Sequence, residues 1–378
     1  MKISLDAKEL LNVLRLIKPF SEVAVIKADQ SGVVIEGAAG EAGASIKMSF
    51  AKVDEGGELA VKVAGAIELL KGQPGAVLFK DNAVTMGGMV FRLDTKLEYS
   101  VWDWDVAREE LFELPVDGLM RLIVQGTACA GAPRDFPKYA GVSLLRAKDG
   151  KILCTATDNT RINLSTALCD KIYKESDRCV DAKMLGFVGK VLALGSGEVI
   201  VSEVTSRIYF CCENVKAVLP LKDIEFPKFG RIVRTDEAPT RLKVNKKALL
   251  MRLKKLMPVA KTSPGYGVSF RLRPGEEIQM GSATPKGKAR AILFGDVRGV
   301  GVDVAFNAKY IMDALAVISS DELTIWLYGS ESQGQIFSED NCKCMLMPLH
   351  PDVYLSNVFE EECDANCQSE EESLSPQP

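Results

Sequence analysis

The chain has 378 residues, 47% of them apolar and 26% charged, with a formal net charge of −4. That length suits two or three domains, and that balance is the composition of an ordinary folded protein rather than a disordered or fibrous one. No window holds the about eighteen uninterrupted apolar residues of a membrane span, and the charged start MKISLDAKELL lacks a signal peptide's apolar core, so a cytoplasmic protein with no membrane partner is expected.

The first predicted element is a short alternating strand feeding an amphipathic helix, KISLDAKELLNVLRLIK. The same plan returns as FELPVDGLMRLIVQG and again as RLKVNKKALLMRLKKLM. A strand–helix–strand unit follows each: LAVKVAGAIELLKGQPGAVLF, CVDAKMLGFVGKVLALGSGEVIV and VDVAFNAKYIMDALAVISSDELTI. Alternating runs with Gly, Asp or Asn turns lie between and after them, such as VIEGAAGEAGASIKMSF and GVSFRLRPGEEIQMGSA. Counted from Ile3, Phe112 and Leu242, the spacings are 109 and 130 residues. These are too long for a solenoid and suit three similar α+β domains in tandem, 1–108, 109–238 and 239–352. Residues 353–378 hold seven acids and no Lys or Arg, so they are expected to form a disordered acidic tail, and the remaining body carries +3 once those seven are removed from −4.

The helices share a basic side. Leu249, Leu250, Leu253, Leu256 and Met257 form one apolar stripe in the third repeat, with Lys247, Lys254 and Lys255 away from it. Lys8 and Arg15 hold the same relation in the first repeat, as do Arg121, Lys183 and Lys190 in the second. One such face is ordinary solvation; its recurrence points to a common surface that meets phosphate.

Catalytic chemistry is hard to find. GAAGEAG (37–43) is followed by an alternating strand instead of a helix, which favours a hairpin over a dinucleotide loop. GSATPKGKA (281–289) imitates a P-loop, but its glycines are one residue too far apart and Ala289 stands where Ser or Thr would hold Mg²⁺. His350 is the sole histidine, which leaves no catalytic triad, and the ten cysteines include no Cys-x-x-Cys pair. Buried, reduced thiols are expected, with no metal and no cofactor.

The stretch CTATDNTRINLS (154–165) reads as two strands joined by Asp158, Asn159 and Thr160, with a bulky cation, Arg161, at once after the turn. Read alone, it is a hairpin with a solvated charge. In context ATDNTRIN resembles the Ala-Thr-Asp-Gly-His-Arg-Leu turn of the bacterial replicative sliding clamps, the beta subunits of the replicative DNA polymerase. EFPKFGRIV (225–233) resembles that family's Phe-Pro-x-Tyr-x-Arg-Val segment, FNAKYIMDAL (306–315) its Phe-Asn-x-x-Tyr-x-x-Asp-x-Leu helix, and CMLMPL (344–349) its closing Val-Val-Met-Pro-Met strand. The resemblance covers residues 1 to about 351 and is weakest in the first repeat. Asn159-Thr160 replaces the family's Gly-His, and His350 and the acidic tail have no counterpart there.

The resemblance implies a DNA-clamp fold of three domains, with two chains head to tail in a homodimeric ring around duplex DNA. It implies a processivity factor without catalysis of its own, tethering a DNA polymerase and placed on DNA by an ATP-dependent clamp loader. Carried over by position, a partner-peptide cleft would use Tyr139, Thr157, Asn159, Thr160, Arg161 and Ile162, then Pro227, Arg231 and Ile232. Asn307 and Tyr310 would join from a helix, and Met345, Leu346, Met347, Pro348 and Leu349 from the last strand. Such a cleft suits Leu and Phe anchors, with the Arg161 stem packed and its guanidinium available. Trp102, Trp104, Met257 and Val259 fall where the family places the subunit contact, although the tryptophan pair fits a core equally well. The basic helices would face DNA without reading sequence. A sequence-specific DNA-binding regulator and an enzyme with an unfamiliar site remain as alternatives.

Overall fold

The computed structural model describes residues 1–81, 83–92, 97–99, 102–131, 141–229, 233–234, 236–337, 341–354 and 358–359. The first third of the chain runs β1 (Lys2–Asp6), α1 (Ala7–Ile17), β2 (Val23–Asp29), β3 (Gly32–Ala39), β4 (Ala42–Lys47), β5 (Ala51–Glu55), β6 (Gly57–Lys62), α2 (Val63–Leu70), β7 (Ala76–Lys80), β8 (Ala83–Met86) and β9 (Met89–Arg92). The second runs β10 (Glu109–Pro115), α3 (Val116–Thr127), β11 (Val142–Lys148), β12 (Lys151–Thr157), β13 (Arg161–Leu168), β14 (Lys171–Ile172), β15 (Ser176–Asp181), α4 (Ala182–Leu192), β16 (Glu198–Val204), β17 (Arg207–Cys211) and β18 (Val215–Pro220). The third runs β19 (Thr240–Asn245), α5 (Lys246–Ala260), β20 (Gly267–Leu272), β21 (Ile278–Thr284), β22 (Gly287–Leu293), β23 (Gly295–Gly299), β24 (Val302–Asn307), α6 (Ala308–Val317), β25 (Glu322–Leu327), β26 (Gly334–Phe337) and β27 (Cys342–Leu346), before a short α7 (Pro351–Tyr354). Strand for strand and helix for helix, the three orders are the same.

The repeat extends to the sheets. In every third the first strand is flanked by the fifth and the seventh: β5-β1-β7-β8-β9, β14-β10-β16-β17-β18, and β23-β19-β25-β26. The second to fourth strands and the sixth make the other sheet: β4-β3-β2-β6, β13-β12-β11-β15 and β22-β21-β20-β24. Strand alternation places the apolar set inside, as in β19, where Leu242 and Val244 are buried and Arg241 and Lys243 exposed. A strand's last residue often caps the helix that follows. Asp6, Asp181, Asn245 and Asn307 each accept a backbone N–H of the first turn, a contact worth about 1 kcal/mol apiece.

By compactness the chain divides into two units: Met1–Val233 with Asn341–Cys344, and Arg234–Asp340 with residues from Met345 on. The first unit contains two of the thirds because β18 pairs with β4, Val215 opposite Ile46 through Val218 opposite Gly43. Its core is correspondingly continuous, from Leu10, Leu14 and Ile17 to Leu119, Leu122, Val188 and Leu192. β27 is split: Cys342–Cys344 lie beside β13 in the first unit, and Met345–Leu346 belong to the second.

Both glycine-rich motifs are hairpins. β3 turns into β4 with Ala39 opposite Ala42, and β21 into β22 with Thr284 opposite Gly287. The acidic tail starts later than expected, because Val353 and Tyr354 close α7, and Val358 and Phe359 are buried. Apolar side chains there find a surface to cover, which the charge run alone did not reveal. The eight cysteines among the described residues are free thiols, six of them buried. Among those residues no helix is long and apolar enough to cross a membrane.

Candidate functional site

The first unit holds the turn between β12 and β13, and Asp158 organises it. Its Oδ1 accepts from the Thr160 N–H (3.1 Å), the Thr160 hydroxyl (2.7 Å) and the Arg161 N–H (3.0 Å), while Oδ2 accepts from Arg161 Nε at 2.7 Å. Thr157 Oγ1 donates to the Arg161 carbonyl and accepts the Asn159 N–H. Asn159 has φ +71°, the left-handed conformation that Asn tolerates better than most residues. Arg161 is therefore not a free rim charge: its side chain is only 13% exposed and its guanidinium is paired with a carboxylate in its own turn. Thr157 and Ile162 are buried, whereas Asn159 and Thr160 are exposed.

Beneath the turn lies a polar seam on the end of α3. Cys129 Sγ donates to the Ala156 carbonyl (2.9 Å) and accepts the Asn163 N–H (3.0 Å), and Ser165 donates to Gln125 Oε1 (2.7 Å). The helix reaches this seam because Gly126 has no side chain; a Cβ there would lie 2.5 Å from Cys154 Sγ and 2.6 Å from its carbonyl oxygen. Burial pushes the Cys129 thiol up to about 12 against the weaker pull of Arg161, and the Cys154 thiol also to about 12. Cys344, 4.0 Å from Cys342, is likewise held neutral, by hydrogen bonding to Cys342 and then by burial. Sulfur serves here as packing and as a hydrogen-bonding group, not as a nucleophile.

In the second unit Asn307 caps α6 through bonds from Lys309 N–H and Tyr310 N–H, and Tyr310 is half-buried one turn on. Met345 and Leu346 are core residues, 2% and 3% exposed, and so do not line an open wall. Met347 is 49% exposed; Pro348 and Leu349 are half-buried, the Leu349 N–H bonding the Ala305 carbonyl at 2.8 Å. Pro227 is half-buried in the first unit, next to Phe226, which packs with Val142, Leu144 and Cys179. Tyr139, Arg231 and Ile232 lie outside the described residues.

The basic residues Lys8 and Arg15 on α1, Arg121 on α3, Lys183 and Lys190 on α4, and Lys247, Lys254 and Lys255 on α5 are all exposed. Lys247 leans to Asp321 at 3.2 Å and Lys190 over the Phe187 ring, exposed contacts that hold a cation weakly.

Of the two readings of the tryptophan pair, packing favours the core. Trp104 is buried with Tyr209 and Val218, Trp102 packs against that cluster, and the Arg207 guanidinium covers Trp102. Met257 and Val259 are half-buried in the last turn of α5. Sequence reasoning missed a different apolar set. Met89 and Val90 are exposed on β9, which ends its sheet; Ile292 on β22 and Phe294 just past it are 47% and 67% exposed, and β22 also ends its sheet. Alternation does not distinguish an edge strand from a central one, so only the topology brings these residues to notice.

Comparison with known proteins gives a consistent result. The beta sliding clamp of Bacillus subtilis strain 168 is 26% identical over 228 residues, which is 60% of either chain, and that of Staphylococcus epidermidis RP62A is 22% identical over 229. The matched region thus spans about 60% of the length of these curated relatives. Solved structures agree over more of the chain. The DNA polymerase sliding clamp of Bacillus subtilis superposes with a TM-score of 0.78 at 19% identity, covering 93% of this chain and 99% of that one. The DNA polymerase III beta subunit of Thermotoga maritima gives 0.79 at 20%, covering 92% and 99%. A family profile described as a CXCXC repeat matches residues 334–345; it spans Cys342 and Cys344, which are buried strand residues here. The chain has the sliding-clamp fold and is similar in sequence to the beta sliding clamps over about 60% of its length.

Proposed function

We propose that this protein is a DNA sliding clamp: a homodimeric ring of six domains, two copies of 1–108, 109–238 and 239–352, that encircles duplex DNA and tethers a polymerase. The observation that carries the ring is the pattern of strand joins. The ninth strand of the second third pairs with the fourth of the first, β18 with β4, and the ninth of the third lies beside the fourth of the second, β27 with β13. This rule leaves one ninth strand, β9, and one fourth strand, β22, each at the end of its sheet with no second neighbour among the described strands, and both present exposed apolar side chains. Head-to-tail pairing of β9 with the β22 of a second copy continues the rule twice and closes a ring. Met89, Val90, Ile292 and Phe294 are then interface residues, ahead of Trp102 and Trp104.

Within that ring the exposed cations of α1, α3, α4 and α5 meet phosphate through water and counterion release, without reading bases, and retention is topological. The protein works without catalysis or cofactor, in the cytoplasm, and an ATP-dependent loader opens the ring. From the resemblance alone we assign capture of partner peptides to Asn159, Thr160 and Arg161 in the first unit and to Tyr310, Met347, Pro348 and Leu349 in the second. The buried Thr157, Ile162, Met345 and Leu346 support them, and Tyr139, Pro227, Arg231, Ile232 and Asn307 keep the roles the resemblance implies. The test is retention after loading on circular and linearised duplexes of equal length. A clamp stays on the circle and runs off free ends; equal retention on both overturns the reading.

A further inference from the structure

Past the last strand the chain turns back onto the second unit's own sheet β22-β21-β20-β24. It covers the face opposite Val268, Phe270 and Met280, which point into the core. Two glycines clear its seat: a Cβ on Gly267 would lie 2.2 Å from the Tyr354 ring, and one on Gly281 would lie 2.4 Å from Val358. Ser269 donates to the Tyr354 carbonyl at 2.5 Å and Arg290 Nε to the Val358 carbonyl at 2.9 Å, and the Arg271 guanidinium sits 4.5 Å over the Phe359 ring. Val358 and Phe359 are 3% and 8% exposed, so these two side chains are seated on the sheet.

Phe359 shares a surface groove with Arg252, Lys255, Arg271 and Arg290, and the groove runs on to Ile292 and Phe294 at the β22 edge; Glu277 is the one acid in its lining, while Arg271 is also paired with Asp303 at 3.3 Å. Glu360, Glu361, Glu362 and Asp364 follow Phe359 directly in the sequence. At about 3.4 Å per extended residue the chain limits the reach of Asp364 to about 17 Å from Phe359 and that of Glu360 and Glu361 to less than a Debye length of about 8 Å.

We propose that this basic groove is the docking site of the chain's own acidic segment, residues 360–364, and that the docked segment competes with duplex phosphate for Lys255. The competition rests on the sliding-clamp reading; the docking does not. Charge complementarity and the seated anchor select this occupant: Phe359 delivers the acids to the groove at high effective concentration, which a free polyanion has to match. The segment is then a salt-dependent brake on DNA contact at α5.

Zero-length carbodiimide crosslinking of the full chain, followed by peptide mass spectrometry, tests the docking. The expected product joins one of residues 360–364 to Lys255 at low salt and is lost at high salt. Absence of that product at low salt overturns the proposal, as does a product found only between isotopically distinct copies. In parallel, E360Q, E361Q, E362Q and D364N together should tighten duplex DNA binding about tenfold at low salt, as expected from a few exposed ion pairs, and leave it unchanged at high salt. Crosslinking with unchanged DNA affinity retains the docking and overturns the competition. Crosslinking with no DNA binding by either form retains the docking and counts against the clamp reading instead.

Discussion

β13 and β22 occupy the same place in the repeat, each the fourth strand of its third, and they meet opposite fates. β13 follows a turn fixed by the Asp158 carboxylate, buries Ile162 and Leu164, and has Cys342–Cys344 of β27 at its side. β22 follows a turn held by weaker bonds at Thr284 Oγ1, both 3.3 Å long, and leaves Ile292 and Phe294 in water at the end of its sheet. A fold made of repeats makes the same edges repeatedly. Those between thirds are consumed by the chain itself, and the outermost pair is left over. Lys288 and Arg290 discourage indiscriminate pairing along β22, and in the proposed ring its apolar residues would meet one particular partner.

The sharpest way to break this comparison is to charge the open edge. Ile292→Lys with Phe294→Lys should raise the dimer dissociation constant about thirtyfold or more, as expected from losing two apolar anchors, and leave a folded monomer. Sedimentation with circular dichroism reads both; a wild-type chain that is monomeric at micromolar concentration sinks the reading of β22 as a ring joint. Ile162→Lys on β13 should unfold the first unit instead, because its side chain has no route to water.

Next in size is the peptide assignment. Arg161→Ala, Met347→Ala and Leu349→Ala combined should weaken a Gln-Leu-x-Leu-Phe type peptide by about thirtyfold in fluorescence anisotropy, with dimer mass unchanged. Wild-type affinity in a folded triple variant returns Arg161 to a purely structural role.

At the two turns, Asp158→Ala should cost about 2 kcal/mol in a denaturant titration, since it deprives the largely buried Arg161 of that carboxylate and the turn of its bonds. Thr284→Ala, at the equivalent exposed turn, should cost less than about 0.5 kcal/mol. Similar costs at both sites would erase the distinction between a closed and an open edge.

The smallest effect concerns acid. Arg178 on β15 bonds Glu203 on β16, tying the two sheets of the second third together, and Arg146 bonds Asp177 at 2.5 and 2.6 Å. Hydrogen bonds from these guanidinium groups hold both carboxyls below their ordinary range. The unfolded chain therefore binds more protons as pH falls, so this stabilisation is complete above about pH 5 to 6 and is lost progressively below it, as the unfolded and then the folded carboxyls protonate. Glu203→Gln should flatten the decline of stability as pH falls below about 5. A slope identical to wild type shows that this bridge contributes nothing.

The three repeats and the polar side of each helix were legible because periodicity is local: a dozen residues suffice to state it. The hairpins at 37–43 and 281–289 were legible for the same reason, since a strand pattern followed each glycine cluster. What needed the tertiary structure was partnership. Alternation looks the same in β13 and β22, and nothing within either strand says whether another lies alongside. Nor does the sequence near Arg161 say that Asp158, three residues back, takes its guanidinium. Met345 and Leu346 read as cleft residues, and Trp104 as subunit contact or core alike, until distant strands covered them, and Tyr354, Val358 and Phe359 read as tail until Gly267 and Gly281 made room. The sequence by itself determined which residues prefer water and which local conformations they adopt. Only the folded chain decided which apolar faces its own distant segments cover, because pairing is set by register and proximity between residues far apart in sequence.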